Sequence, residues 1–314
     1  MQHDTILRAT MALKQHGFVV RTAYYQDIET HLTDTCAYHN SVLYFLRASR
    51  LAAGERGYVV TDRTNSPLCF MGYRDNALYL LSNVWETQQE PLLKIVHAAT
   101  SAQPLIFKKV PVNLVNALQA NSPLTIATEG NRQFEDENSP EKGITLPLFT
   151  DMQNAPKQLA KLSSKYNRFL KNNLQMKRQE LRPGDALLPY LYAINKEAAF
   201  TNAYLEMSRY FETARNHALH CFVFTTGDDV KGVYLAEKLT PECAGLYCAI
   251  GSRCHAGITE WMDVSVFQTL HDRGFNHLLI GGSETAGVQH YVQKLHPFSI
   301  AKYQALKIWA PKQP

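Results

Sequence analysis

Gly274–Phe298 reads GFNHLLIGGSETAGVQHYVQKLHPF, and its punctuation decides the fold. Asn276–Ile280 predicts a strand, Gly281-Gly282 ends it, Ser283-Glu284 forms a polar junction, and Thr285–Leu295 predicts a helix. Glycines at such a junction let another molecule approach the backbone, where the new helix presents free N–H groups. The same pair of glycines also suits a plain tight turn.

Working outward, the second half of the chain opens with a predicted helix from Pro156 to about Arg178, a Pro183-Gly184-Asp185 turn and a helix over Leu187–Phe200. Extended segments follow at Leu219–Thr225, Gly232–Leu239 and Ala244–Ile250, then a helix over Ile258–Arg273 and, beyond the quoted stretch, a final strand at Ile300–Trp309. A meander followed by crossovers specifies a mixed sheet with helices on both faces.

The first half alternates similarly. A strand is predicted around Gly17–Tyr25, a long helix over Asp27–Leu51, extended segments at Gly57–Thr61 and Leu68–Trp85, a helix at Pro91–Ala99, a strand at Pro104–Val110 and a short helix at Val112–Gln119. Tyr38, His39 and Tyr44 fall on the long helix in no recognisable catalytic arrangement, and Trp85 reads as a core residue. Between the halves lies EGNRQFEDENSPEKG, Glu129–Gly143, polar and nearly without apolar residues, as a surface connection should be. The expected domains are therefore 1–143 and 144–314.

From Leu187 to Trp309 the element order resembles the GNAT acyltransferase superfamily, and Leu279-Ile280-Gly281-Gly282-Ser283-Glu284 with Gly287 resembles its duplicated branch. That branch includes the Fem-type aminoacyl-tRNA-dependent transferases and the lysyl-phosphatidylglycerol-synthase C-terminal domains. The resemblance implies an α/β protein of two tandem GNAT-like domains, each a mixed, mostly antiparallel sheet flanked by helices. It implies a degenerate first domain lining an acceptor cleft and a second domain holding the chemistry. Tyr291, four residues after Gly287, takes the place of the family's leaving-group acid, and Glu237 that of a base on the meander. An amine must lose a proton as it attacks a carbonyl, and a carboxylate on a half-buried strand can take it. Ser283 and Glu284 would orient the amine, and Gly281, Gly282 and Lys294 would lie beside the donor.

The coenzyme A pyrophosphate loop of the family should precede the Ile258–Arg273 helix. Here Arg253-Cys254-His255-Ala256-Gly257-Ile258 keeps the arginine and one displaced glycine, Gly257. Glu260 and Asp263 in the helix's first turn would compete with pyrophosphate for its N-terminus. Both features argue against coenzyme A as donor.

The charge distribution points to another donor. The chain of 314 residues is 45% hydrophobic, with 32 basic and 28 acidic side chains, net +4. Such numbers exclude disordered, collagenous and disulfide-scaffold classes and leave room for two domains. Yet Lys157, Lys161, Lys165, Arg168 and Lys171 recur at helical spacing, opposite Leu159, Leu162, Tyr166, Phe169 and Leu170. Residues 157–182 hold eight basic groups against Glu180 alone, a local +7 that leaves the remainder at −3. A single-sign stripe suits a polyanion as readily as plain solvent.

The expected activity is transfer of an aminoacyl group from aminoacyl-tRNA to an amine of a small molecule, peptide or lipid headgroup. Alternatives are an acyl-CoA-dependent N-acetyltransferase using Arg253 and Gly257, and a non-catalytic module binding RNA or an anionic surface. No cofactor or metal is expected: Cys243, Cys248, Cys254 and His255 lack ligand spacing, and the 6 cysteines read as free thiols. Without a basic-then-apolar leader or a run of about 18 apolar residues, the expected location is the cytoplasm.

Overall fold

The computed structural model describes residues 2–33, 36–48, 57–74, 77–120, 124–128, 141–172, 175–194, 202–215, 218–252, 256–281, 286–299 and 303–309. The chain forms two compact units: Met1–Thr33 with His39–Pro140 and Ala301–Pro314, and Asp34–Tyr38 with Glu141–Ile300.

The first unit comprises α1 (Gln2–Gln15), β1 (Val19–Thr22), α2 (Tyr25–His31), α3 (Val42–Ala48), β2 (Tyr58–Thr61), β3 (Pro67–Arg74), β4 (Ala77–Leu81), α4 (Gln89–Ala102), β5 (Leu105–Pro111), α5 (Val112–Ala120) and β6 (Thr125–Thr128). The second comprises β7 (Lys142–Thr145), two 3-10 turns, α6 (Ala160–Asn172), β8 (Met176–Leu181), α7 (Leu188–Ile194), α8 (Asn202–Thr213), β9 (Leu219–Thr226), β10 (Asp229–Thr240), β11 (Cys243–Gly251), α9 (Ile258–Asp272), β12 (His277–Gly281), α10 (Ala286–Gln293) and β13 (Phe298–Ser299). A last strand, β14 (Tyr303–Trp309), returns to the first unit.

Among the described residues each unit has a seven-stranded sheet, ordered β1-β2-β3-β4-β5-β14-β6 and β13-β7-β12-β11-β10-β9-β8. Each sheet is antiparallel except at one pair, β4 with β5 and β11 with β12. The first core gathers Trp85, Phe107, Leu92 and Ile308. The second gathers Phe222, Phe224 and Tyr234 from the sheet with Leu162, Phe169, Met262 and Phe267 from the helices. No helix among the described residues is long and apolar enough to cross a membrane.

Several elements differ from the sequence reading. Instead of one helix over Asp27–Leu51 there are two short ones, α2 and α3. Asn40 Oδ1 accepts from the Thr33 N–H at 3.0 Å, and Ser41 Oγ accepts from the Tyr44 N–H at 3.1 Å. Such short polar side chains divert the backbone from helix by bonding it locally. The helix expected to reach Arg178 stops at Asn172, and β8 follows as an exposed edge strand. The closing strand pairs with β5 and β6, not with the second sheet, so each unit draws on both halves of the sequence.

Candidate active site

The second sheet opens at a defined rung. β11 and β12 pair in parallel only over Cys243–Gly245 and His277–Leu279, although β11 continues to Gly251 and β12 to Gly281. The last shared rung aligns Glu237 on β10 with Gly245 on β11 and Leu279 on β12. Glu237, 4% exposed, therefore sits one strand from the point where the sheet parts.

Just beyond that rung β11 bulges, since Leu235 pairs with Cys248 and Ala236 with Leu246, leaving Tyr247 extra. A Cβ at Gly245 would lie 2.4 Å from the Tyr247 hydroxyl. Glycine there admits the tyrosine on the sheet face that Glu237 shares, because paired residues point to one face. The Tyr247 hydroxyl donates to the Tyr38 carbonyl at 2.6 Å, and the two rings stack with centroids 4.6 Å apart. Tyr38 also donates through its own hydroxyl to the Leu246 carbonyl at 2.9 Å and through its N–H to Glu141 Oε2 at 2.9 Å. It thus satisfies a β11 carbonyl just past the last rung shared with β12. Gly281 makes room for it: its φ is +68°, and a Cβ would approach the Tyr38 ring to 2.5 Å.

The other sheet face carries a buried acid. Tyr234, three residues before Glu237 in a regular stretch of β10, points to the opposite face and donates to Asp263 Oδ1 of α9 at 2.6 Å. Tyr291 on α10 donates to the second oxygen, Oδ2, at 2.5 Å. Burial pushes the Asp263 carboxyl up to about 6, opposed by both tyrosine hydrogen bonds and helped by neighbouring Glu260. Burial and the Asp263 charge hold both phenols well above their ordinary range, so they stay protonated.

Next to it, α6 packs against the start of α9. Gly257 caps α9 in a left-handed conformation, φ +87°, and a Cβ there would meet the Lys165 carbonyl oxygen at 2.6 Å and Phe169 Cβ at 3.2 Å. Glu260, 6% exposed, accepts from Lys165 Nζ at 2.8 Å. The protein's own groups therefore crowd this end of α9. On α6, Leu162 and Phe169 are buried and Lys161, Lys165, Arg168 and Lys171 exposed, as is Lys157 in the 3-10 turn before it, whereas Leu170 is 37% exposed at the edge of the apolar face.

No protein-family sequence model matches the chain, and no curated protein matches its sequence. Solved structures do match its fold. A conserved protein of unknown function from Bacteroides thetaiotaomicron superposes with a TM-score of 0.67 at 9% identity, covering 92% of this chain and 99% of that one. The C-terminal domain of a putative lysylphosphatidylglycerol synthetase from Agrobacterium fabrum gives 0.56 at 11% identity, covering 90% and 91%. FemX gives 0.55 at 9% identity, covering 94% and 98%. A tandem GNAT protein from the clavulanic acid biosynthesis pathway gives 0.51 at 11% identity, covering 95% of this chain and 100% of that one. The chain has the tandem GNAT fold.

Within this tandem GNAT fold the residues singled out from sequence separate into groups. Glu237 stands at the opening of the sheet, but the Tyr291 hydroxyl is tied to Asp263 on the side opposite the Glu237 side chain. Gly281 carries the Tyr38 ring and Gly257 the α6 backbone. Lys294 follows α10 with its ammonium 5.6 Å from the Tyr291 ring centroid. Gly282, Ser283, Glu284 and Arg253 lie outside the described residues. Tyr38, Tyr247 and Asp263 are the site-forming residues that sequence reasoning passed over as such. The available signals were glycines at 245 and 281, each of which leaves space that a tyrosine fills.

Proposed function

We propose that this protein is an acyltransferase that moves an aminoacyl group from aminoacyl-tRNA to an amine. The observation that carries the choice of donor is the start of α9, where Gly257 abuts the Lys165 carbonyl and the buried Glu260 pairs with Lys165. A coenzyme A pyrophosphate would need that helix N-terminus and would meet a carboxylate there. The exposed cations Lys157, Lys161, Arg168 and Lys171 support a donor rich in phosphates, as does the fold shared with FemX and a lysylphosphatidylglycerol synthetase domain.

In this reading the amine nitrogen attacks the ester carbonyl of the charged tRNA. A C–N bond forms, the C–O bond to the ribose breaks, the nitrogen gives up a proton and the ribose oxygen takes one. Glu237 is the base. Tyr291 is the acid, for which it must turn from Asp263 to the leaving oxygen; Ser283 and Glu284 orient the amine. Because the ester is activated, positioning and proton transfer suffice.

Transfer to a panel of amines, followed by mass spectrometry with charged tRNA as donor, tests the proposal. Activity should be abolished by RNase, and Glu237→Gln should lower kcat by about 100-fold or more with KM little changed. Transfer that survives RNase treatment overturns the donor. An unchanged Glu237→Gln rate overturns the base.

A further inference from the structure

Three elements of the second unit meet at one carboxyl. Asp263 of α9 is buried, and each of its oxygens accepts from a phenol: Oδ1 from Tyr234 of β10 at 2.6 Å, Oδ2 from Tyr291 of α10 at 2.5 Å. Among the described residues, the charged or titratable groups beside this trio come from every element around it. Glu260 lies one turn earlier on α9 and pairs with Lys165 of α6. Cys248 of β11 donates its thiol to the Val233 carbonyl, next to Tyr234. Lys294, just after α10, has its ammonium 5.6 Å from the Tyr291 ring centroid.

This bonding limits Tyr291 as an acid. While Asp263 is a carboxylate, loss of the Tyr291 proton would leave two negative charges at hydrogen-bonding distance in a buried place. Burial and the Asp263 charge accordingly hold the Tyr291 phenol well above its ordinary range. A protonated Asp263 reverses the situation. Its O–H donates to the Tyr291 oxygen, and the Tyr291 O–H becomes free to point at another acceptor. When that proton leaves, the carboxyl proton crosses to Tyr291, and a single charge ends on Asp263 with two phenols donating to it. The hydrogen bonds in the structure are those of this final state. Burial raises the Asp263 carboxyl to about 6, which brings the protonated form within reach near neutrality.

We propose that Asp263 is a positioning residue for the transfer reaction: protonated, it turns the Tyr291 hydroxyl toward the leaving oxygen and replaces the proton that Tyr291 gives up. The inference rests on the acyl-transfer reading with Tyr291 as its acid. As the C–O bond to the ribose breaks, the ribose oxygen keeps the electron pair and takes the Tyr291 proton, while the Tyr291 oxygen takes the Asp263 proton. Asp263 is left as a carboxylate and regains a proton from solvent before the next turnover. Glu237 returns to solvent the proton it took from the amine, so the net count is zero.

The test measures acyl transfer from charged tRNA to one saturating amine between about pH 5 and 9, with the full-length wild type, Asp263→Asn and Tyr234→Phe. The wild-type kcat should fall as pH rises through about 6, the range in which Asp263 loses its proton. Asp263→Asn keeps the shape but has no proton to pass on; kcat should drop about 100-fold with KM little changed, and that limb should vanish. Tyr234→Phe leaves Asp263 and Tyr291 in place and removes one donor that favours the carboxylate, so its limb should move up by about one pH unit. This second variant carries the test if Asp263→Asn loses the wild-type circular dichroism spectrum. An unmoved limb in Tyr234→Phe, or a folded Asp263→Asn protein with the wild-type kcat and profile, overturns the role of Asp263 and leaves acyl transfer standing. A folded wild type that transfers nothing from charged tRNA overturns the acyl-transfer reading itself, and this role with it.

Discussion

Asp263 carries a charge in a place that disfavours one. It is buried, accepts hydrogen bonds from Tyr234 and Tyr291, and has its carboxyl raised to about 6 from an ordinary 3.8. Because the folded value lies above the unfolded one, the folded state binds the proton more tightly. Stability from this group is present below about pH 4 and is lost as pH rises through about 6. The loss is at most about 3 kcal/mol, from a difference of roughly two pH units. Denaturant unfolding of the wild type and Asp263→Asn at pH 4 to 8 should show the wild type losing ground to the variant by about that amount up to pH 7. A constant difference would remove the ionisation of Asp263 from the account. The sequence put Asp263 in the first turns of α9 but gave no sign that it points inward. That helix buries Glu260, Met262, Asp263, Val264, Val266 and Phe267, nearly its whole circumference, so no polar face exists from which to read orientation.

Where α6 meets α9, one glycine decides whether the elements fit. Gly257→Ala would place a methyl group 2.6 Å from the Lys165 carbonyl oxygen at φ +87°, so strain and overpacking combine. The expected loss is about 2–4 kcal/mol, read as a lower Tm. An unchanged Tm would show that α6 does not pack there. Elements with their own periodicity were legible: α9 and the β9–β11 meander lie where the apolar spacing put them, and α6 fills the middle of its expected helix but ends at Asn172. Others were not, because their identity is settled by a neighbour. Met176–Leu181 carries Lys177, Arg178 and Glu180 and lacks an alternating pattern; it is a strand because β9 offers an edge. Tyr303–Trp309 reads correctly as a strand, but only tertiary pairing tells it to join β5 and β6. Tyr38, which packs on the β11 bulge, was hidden inside a predicted helix that local bonds to Asn40 and Ser41 break.

Over the whole molecule, a net charge of +4 conceals a +7 segment and a −3 remainder. The structure places much of that segment on the outer face of α6, with Lys165 partly neutralised by Glu260, Arg178 hydrogen-bonded to the Ser265 carbonyl and Arg273 paired with Glu180. Among the described residues, Lys157, Lys161, Arg168 and Lys171 are exposed and make no ion pair with the protein, and these are the cations the proposed donor would use. The fold was legible because the glycine-punctuated strand and helix of Gly274–Phe298 fix the crossover on which it turns. The proposed donor rests on side-chain chemistry, since the tandem GNAT fold by itself does not select one. The most direct measurement compares acyl transfer to one amine from aminoacyl-tRNA and from acyl-CoA, using the wild type and the Lys161→Glu, Arg168→Glu, Lys171→Glu triple variant at low salt. The account predicts transfer from aminoacyl-tRNA that the triple variant slows about tenfold or more, and none from acyl-CoA. Turnover with acyl-CoA in the absence of tRNA, unaffected by the three reversals, would contradict it.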